Sequence, residues 1–430
     1  MMKQFVTIML VLMNIVFTGN SFADPFISYP GTRAKSLGGA YSAAPYDASA
    51  IWYNPAGIVF GETGFVFEYS QGISIDTDTS VADIGESIFD QSNIQTGMKT
   101  GLLGNEAHKF FVGYLNSNQN KYGWALGVYS PYTIEWSFSP YPLEEGKGYG
   151  EIIEEMYVLG LAFSFKPFKQ LSLGACVEGI YEQYDDSKIW YFDKSDEFIN
   201  MGITRYFARE IKELDDSIGI SGTFGFSIPY TFQRTGIRVQ FGGVYRLKSN
   251  NKPELPENID DTTIAPDIYE RQKKAAEQLF FGKPSSWAIG FRYSQVLIQP
   301  NEKNDKFNVL LGLSTQYGVT DWSTTNDQFD NMYQKLSLGA ELSLIELPLF
   351  SSVRLLKKVI VRGGYYNSQA TEKSEGWPDV QGVTFGGGLK PYPSVSINAT
   401  YEHRFMKFEQ SDNKDISLLS LSFVFYTGYH

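Results

Sequence analysis

One cysteine, Cys176, and three histidines, His108, His403 and His430, are all that a chain of 430 residues holds of those two types. A lone cysteine excludes a disulfide framework, and its distance from the N-terminal apolar run excludes a lipoprotein anchor. His403 falls on the apolar parity of its segment and His430 is terminal, so neither is placed to pair with a serine and an orienting acid. Spaced metal ligands, a phosphate-cradling glycine loop and a Cys pair are missing as well. An outer-rim carboxylate pair is the one catalytic arrangement left open, and nothing marks one. Positive charge is also short, with 36 Lys and Arg against 48 Asp and Glu. That is the reverse of the basic stripe that nucleic acid requires. The expectation is a non-enzyme with no cofactor, no metal and no nucleic-acid partner.

Long hydrophobic runs are scarce. The one sustained example spans Phe5 to Phe17, follows Lys3 and precedes the small-x-small triplet Ser21-Phe22-Ala23. A spanning helix needs about 20 apolar residues, so this pattern reads as a secretion signal. Residues 1–23 are expected to be cleaved, with the mature chain starting at Asp24.

What the chain has in quantity is aromatics, 16% of residues, 41 glycines, and period-two alternation. In Met156 to Phe165, Tyr157, Leu159, Leu161, Phe163 and Phe165 share one face, and Val158, Gly160, Ala162 and Ser164 the other. In Val395 to Phe405, apolar Val395, Ile397, Ala399, Tyr401 and Phe405 alternate with Ser396, Asn398, Thr400, Glu402 and Arg404. A soluble sandwich and a membrane barrel both produce such alternation. Soluble strands are mostly about 5–6 residues and tilted spanning strands about 9–11, and most runs here reach ten or more. The polar parity also carries both charge signs, including Arg238, Arg292, Arg362, Arg404, Glu178, Glu341 and Glu402. That mixture suits an ion-paired lumen.

Counting runs between turn signals gives roughly fourteen strands, an even number as bacterial barrels have. Their expected starts are Gly64, Lys109, Lys121, Met156, Leu171, Ser217, Ile237, Ser286, Phe307, Gln334, Val359, Gly382, Val395 and Ile416. Short connections such as "PFKQ" and "PYPS" alternate with long ones near residues 79–107, 138–155, 190–216 and 248–285. Short turns face the periplasm in such barrels and long loops face outward. Trp136, Trp190 and Trp287 then fall at outer strand ends and Trp124 at an inner one, where interfacial aromatics belong. The fold class is an all-β transmembrane antiparallel barrel in an outer membrane, with lipid and lipopolysaccharide around it.

Ahead of the first strand lies "GTRAKSLGGAYSAAPYDASAIWYNPAG", Gly31 to Gly57. Small residues permit tight backbone packing, and Pro55 fixes φ and removes a donor. Physics alone leaves two readings: a plug folded into the lumen, or a periplasmic cap.

These residues carry a resemblance. Gly31, Arg33, Ala34, Gly38-Gly39-Ala40-Tyr41, Asp47-Ala48-Ser49-Ala50 and Asn54-Pro55-Ala56-Gly57 are similar to the N-terminal hatch of the FadL- and TodX-type outer-membrane transport proteins, with Ile58 in place of the usual Leu. The motif covers less than a tenth of the chain. The resemblance implies a hatch over residues 24–62, a barrel over 63–430, and passive uptake of hydrophobic compounds, long-chain fatty acids first, with aromatic hydrocarbons beside them. It also implies lateral release, a monomer, and hatch or gating roles for Gly38, Gly39, Asp47, Asn54, Pro55 and Ala56. The same motif occurs in PorV-, PorQ- and TraF-like barrels, which implies a second reading: a scaffold or secretion-associated barrel with a blocked lumen and a protein partner. A general diffusion pore fits poorly with a plugged bore.

Ligand capture by outer loops is a further implication. Ile203, Phe207, Ile211 and Leu214 follow helical spacing in one long loop, and Leu279 and Phe280 belong to an apolar face in the next. Packing on the barrel rim is the stronger reading of both stripes. Pro131 cannot donate to a ladder and is either a break that opens the wall or a strand end. Gly386-Gly387-Gly388 reads as close packing against the hatch or, more readily, as a bend in the wall. N-terminal sequencing of protein extracted from its own membrane is expected to begin at Asp24; a sequence beginning at Met1 would refute the signal.

Overall fold

The computed structural model describes residues 30–73, 94–100, 108–118, 121–131, 133–140, 148–183, 188–193, 207–210, 216–233, 235–249, 251, 282–298, 308–321, 332–345, 357–370, 379–407 and 414–427. The signal segment and most outer-loop positions lie outside them. Two single-turn helices, α1 (Thr32–Lys35) and α2 (Ala50–Tyr53), and a 3-10 helix (Pro55–Phe60) come first. Strands follow: β1 (Gly64–Ile73), β2 (Ile94–Thr100), β3 (His108–Asn118), β4 (Tyr122–Tyr129), β5 (Thr133–Pro140), β6 (Gly148–Phe168), β7 (Leu171–Gln183), β8 (Lys188–Asp193) and β9 (Phe207–Glu210). The remainder are β10 (Ser217–Phe232), β11 (Ile237–Arg246), β12 (Ser285–Ile298), β13 (Asn308–Asp321), β14 (Met332–Ile345), β15 (Lys358–Ala370), β16 (Asp379–Tyr392), β17 (Val395–Lys407) and β18 (Lys414–Tyr426).

Fourteen of these close an antiparallel barrel: β1, β3, β4, β6, β7 and β10 through β18. Each pairs with the next, and β18 returns to β1 from Gly64 opposite Tyr426 to Ile73 opposite Ser417. Closure leaves no unpaired edge in the wall, which a bilayer requires because it offers no water to exposed amides. The expected strand starts lie within three residues of these, except that β6 begins at Gly148 rather than Met156. Its early residues pair with β5 and β8 beyond the wall. The segment "EIIEE" lacks alternation, so parity could not reveal it.

The parity reading holds. On β6, Leu159, Leu161 and Phe163 are exposed while Val158, Ala162 and Ser164 are buried. On β17, Ser396, Asn398, Thr400, Glu402 and Arg404 are buried inside the barrel and Tyr401 and Phe405 face out. Exposed Phe65, Phe67, Leu161, Val177, Ile220, Phe385 and Phe423 extend the apolar band around the wall. A soluble protein does not sustain so much contiguous apolar surface. The band is lipid-facing, and the protein is an outer-membrane barrel. His403 is on this outward parity, its ring parallel to Tyr401 at 6.5 Å and edge-on to Phe405 at 4.5 Å. Trp124 pairs with Tyr114 at 5.4 Å beside an inner turn, and Trp287 with Tyr317 at 5.6 Å at an outer end. Trp136 and Trp190 fall on β5 and β8, in the sheet extension past the wall.

One expectation needs correction. Phe207, assigned a helical face with Ile203 and Ile211, lies on β9, which pairs with β8 from Trp190 opposite Glu210 to Asp193 opposite Phe207. The neighbouring run "KIWYFD", rich in β-formers, supplies a ladder that helical spacing cannot anticipate. Ile203, Ile211, Leu279 and Phe280 lie outside the described residues. Leu161→Arg, 57% exposed to lipid, is expected to cost about 2–4 kcal/mol. Urea unfolding of the protein in bilayers measures it, and a neutral result would place that face elsewhere than lipid.

Candidate functional site

The stretch Gly31 to Phe60 is folded inside the barrel as a plug. Its shape follows from its small residues. After α1 the Gly39 N–H donates to Ala34 O and the Gly38 N–H to Lys35 O, each at 2.9 Å, a Schellman closure. That closure needs a left-handed residue, and Gly38 has φ +64°. Asp47 organises the next turn: its carboxylate accepts from Ser49 N–H at 3.0 Å, from the Ser49 hydroxyl at 2.5 Å, and from Tyr41 OH at 3.0 Å. Burial pushes the Tyr41 phenol pKa up, so it remains a donor.

Asn54 and Pro55 start the 3-10 helix as cap and first residue. Asn54 Oδ1 accepts from Ala56 N–H at 3.0 Å, and Pro55 occupies the position where a missing donor costs nothing. The other end of the same amide leaves the hatch. Asn54 Nδ2 donates to Ser42 O at 2.8 Å and to Phe226 O of β10 at 2.9 Å, tying two hatch segments to the wall. Asn54 is fully buried. The 3-10 helix lies at the inner end: the hydroxyls of Ser172 and Ser117, both beside short turns, donate to Ala56 O at 2.5 Å and Val59 O at 2.9 Å.

Two carboxylates of the wall hold the front of the hatch. Glu341 accepts from Arg33 in a fork, Nε at 3.1 Å and Nη2 at 2.9 Å, and also from Arg292 at 2.9 Å and Arg362 at 2.8 Å. Burial alone would lower the Arg33 pKa; the Glu341 carboxylate, with Tyr41 and Asp47 beside it, more than reverses that, so the guanidinium stays charged. Glu68 accepts from Lys35 Nζ at 2.8 Å, Gly31 N–H at 3.2 Å and Thr32 N–H. Elsewhere Gln316 accepts from the Tyr41 and Ser42 amides at 3.1 and 2.8 Å, and Arg246 donates to Trp52 O at 2.9 Å. The wall also supplies a groove. A Cβ added to Gly174, Gly364 or Gly386 would collide with Ala56 N, Gly38 N or Ser36 Cβ. Close packing against the hatch is therefore the role of Gly386, against the bend favoured by its sequence context.

The outward face of the hatch is covered by aromatics. Trp52 packs edge-on to Tyr129 at 5.7 Å, with the Arg246 guanidinium 5.0 Å and the Lys283 ammonium 5.4 Å from its ring. Lys283 is itself paired with buried Glu178. The space left beside Trp52, Tyr53, Arg246 and Trp287 is only about 30 Å³.

No family model matches the chain, and no curated protein matches it. Solved structures do. The Pseudomonas putida toluene transporter TodX superposes with a TM-score of 0.51 at 12% identity, over 95% of this chain and 100% of that one. The barrel has the TodX fold. A second structure, the CymD monoaromatic hydrocarbon channel, superposes with a TM-score of 0.50 at 13% identity over 95% and 100% of the two chains.

Within this TodX-type barrel the structure brings Gly38, Gly39, Asp47, Asn54, Pro55 and Ala56 together in one plug. Pro131 is apart from them. It sits just past β4, buried, where the chain advances from Tyr129 opposite Val158 to Thr133 opposite Glu155, one residue more than its partner strand. On its other side the neighbour changes from β3, last paired at Phe111, to β2, first paired at Thr100 opposite Ile134. Sequence reasoning marked Glu341 and Arg292 as lumenal charges but missed that Glu341, Glu68, Gln316 and Arg246 grip the hatch. Glu68 lies 33 positions from Lys35, and the other partners lie 194 to 308 positions away, so only their parity was legible. Glu341→Gln strands three guanidiniums and is expected to destabilise the barrel by about 3–5 kcal/mol. Single-channel recording should show more frequent openings, and wild-type quiescence in the variant would mean that the pair does not seat the hatch.

Proposed function

We propose that the protein passes hydrophobic small molecules across the outer membrane, long-chain fatty acids first, with hatch displacement as the gating step. The observation that carries the reading is a bore closed by the chain's own N-terminal segment. A general diffusion pore has no use for such a device, whereas passage of apolar solutes without leakage of ions requires one. The fold shared with TodX, a toluene transporter, and CymD, a monoaromatic hydrocarbon channel, supports the same class of cargo. Binding of an acyl chain would rest on apolar burial, at roughly 25 cal/mol per Å². Release is proposed to run sideways at the Pro131 irregularity, where the strand neighbour changes, with Asn54, Pro55 and Ala56 moving beneath it.

A second reading has its own observation. The cavity beside Trp52, Tyr53 and Trp287 holds about 30 Å³, room for about two waters and no acyl chain. A scaffold or secretion-associated barrel, which carries no cargo, would need no larger one there.

Uptake of radiolabelled oleate separates the two. Asn54→Ala leaves the Phe226 and Ser42 carbonyls without their donor, a cost of about 1–3 kcal/mol each. The variant is expected to change oleate uptake while the heat-modifiable gel shift of a folded barrel is kept. Wild-type protein that moves neither oleate nor toluene, and that carries a stoichiometric partner in native mass spectrometry, would decide for the scaffold.

A further inference from the structure

Below the hatch, at the end of the barrel that carries the short turns, lies a separate cavity of about 310 Å³. That volume is at the lower bound of small-molecule sites, about 300 Å³. The strand ends place it there: Arg238 follows the first residue of β11, Lys358 opens β15, and Tyr426 ends β18. Its lining is charged, with six cationic and four acidic side chains.

The acids are already engaged. Glu68 is bound by Lys35, Glu62 pairs with Lys390 at 3.0 Å, and Asp47 accepts from Tyr41 and Ser49. Glu341 serves three guanidiniums, Arg33, Arg292 and Arg362, and neutralises one charge among them. Arg238 faces no carboxylate among the described residues. Its guanidinium lies 5.6 Å from the Tyr46 ring and 6.0 Å from the Phe60 ring, and donates to Gln240 Oε1 at 3.4 Å. Arg33 lies on Tyr46 as well, at 5.5 Å. The Lys358 ammonium makes no hydrogen bond or close ion pair among the described residues and lines the same space. Clustered like charges in a partly dried cavity repel one another, and an anion entering it would relieve that repulsion. Phe60, Val66, Leu310, Ile360 and Val424 add apolar side chains to the same lining, interspersed with the charged ones.

We infer that this cavity is a binding site for an amphipathic carboxylate on the periplasmic side of the hatch, its head group held by Arg238 and Lys358 and its chain laid on the apolar lining. The inference builds on the transport reading and narrows its cargo to acids rather than neutral hydrocarbons. It also places a site for the acid on the periplasmic side of the hatch, apart from the sideways exit at Pro131.

The test is calorimetric titration of the full-length protein in lipid nanodiscs, with empty nanodiscs subtracted, using sodium hexanoate, hexanol and inorganic phosphate as separate probes. Hexanoate is expected to bind once per barrel, at least tenfold tighter than hexanol. Lys358→Gln and Arg238→Gln, each checked for folding by the heat-modifiable gel shift, are expected to weaken hexanoate about tenfold and leave hexanol unmoved. Equal binding of hexanoate and phosphate would assign the site to charge alone and overturn the amphipathic carboxylate. Equal binding of hexanoate and hexanol, or unchanged affinity in both variants, would overturn it too. Oleate uptake measured beside the titration keeps the two readings apart: transport with no hexanoate site refutes this inference only, and a hexanoate site in a barrel that transports nothing refutes the function.

Discussion

A charged group inside a closed barrel has to find a partner there. Glu341 is where that constraint is most visible. Two of its three guanidiniums come from the wall, Arg362 on the adjacent β15 and Arg292 two strands away on β12, and the third, Arg33, comes from the hatch. Desolvating a carboxylate costs several kcal/mol unless the geometry repays it. Three charged donors around two oxygens supply that geometry. Glu178 with Lys283, Glu402 with Arg404 and Glu68 with Lys35 repeat the principle at other heights in the bore. The interior is thus a set of ion pairs that position one another, and the hatch joins it as a member.

Shape does the rest. Hatch glycines and alanines bring backbone against backbone, and wall glycines such as Gly174 and Gly364 remove the Cβ atoms that would hold it off. Contacts made this way are mostly hydrogen bonds to main-chain groups, as with Gln316 on the Tyr41 and Ser42 amides. Water can replace such bonds at small net cost, which a purely apolar interface would not permit. The same hatch therefore fills the bore through contacts that water could replace. Its two faces differ: aromatics and a small cavity beside Trp52 lie outward, and a basic cavity lies toward the periplasm.

Much of this was legible before any coordinates. Alternation placed the strand starts, because a lipid face and a wet lumen impose period two on every crossing. Turn chemistry set which end each connection faces, and the small-residue motif marked the segment without saying whether it was plug or cap. Less legible were the outer extensions. The early residues of β6 have no alternation, since neither of their faces meets lipid, and Phe207 follows helical spacing yet pairs as a strand.

By itself the sequence determined the barrel, its approximate strand count and the parity of its alternating runs, all of which depend on neighbours a few positions apart. Only the tertiary structure decided that the small-residue segment is a plug and not a cap, that Gly386 yields to Ser36, and that Glu341 joins Arg33 across 308 positions. Those outcomes depend on which lumenal groups stand opposite one another once the wall has closed. Period two fixes the face a residue takes and leaves open its partner across the bore.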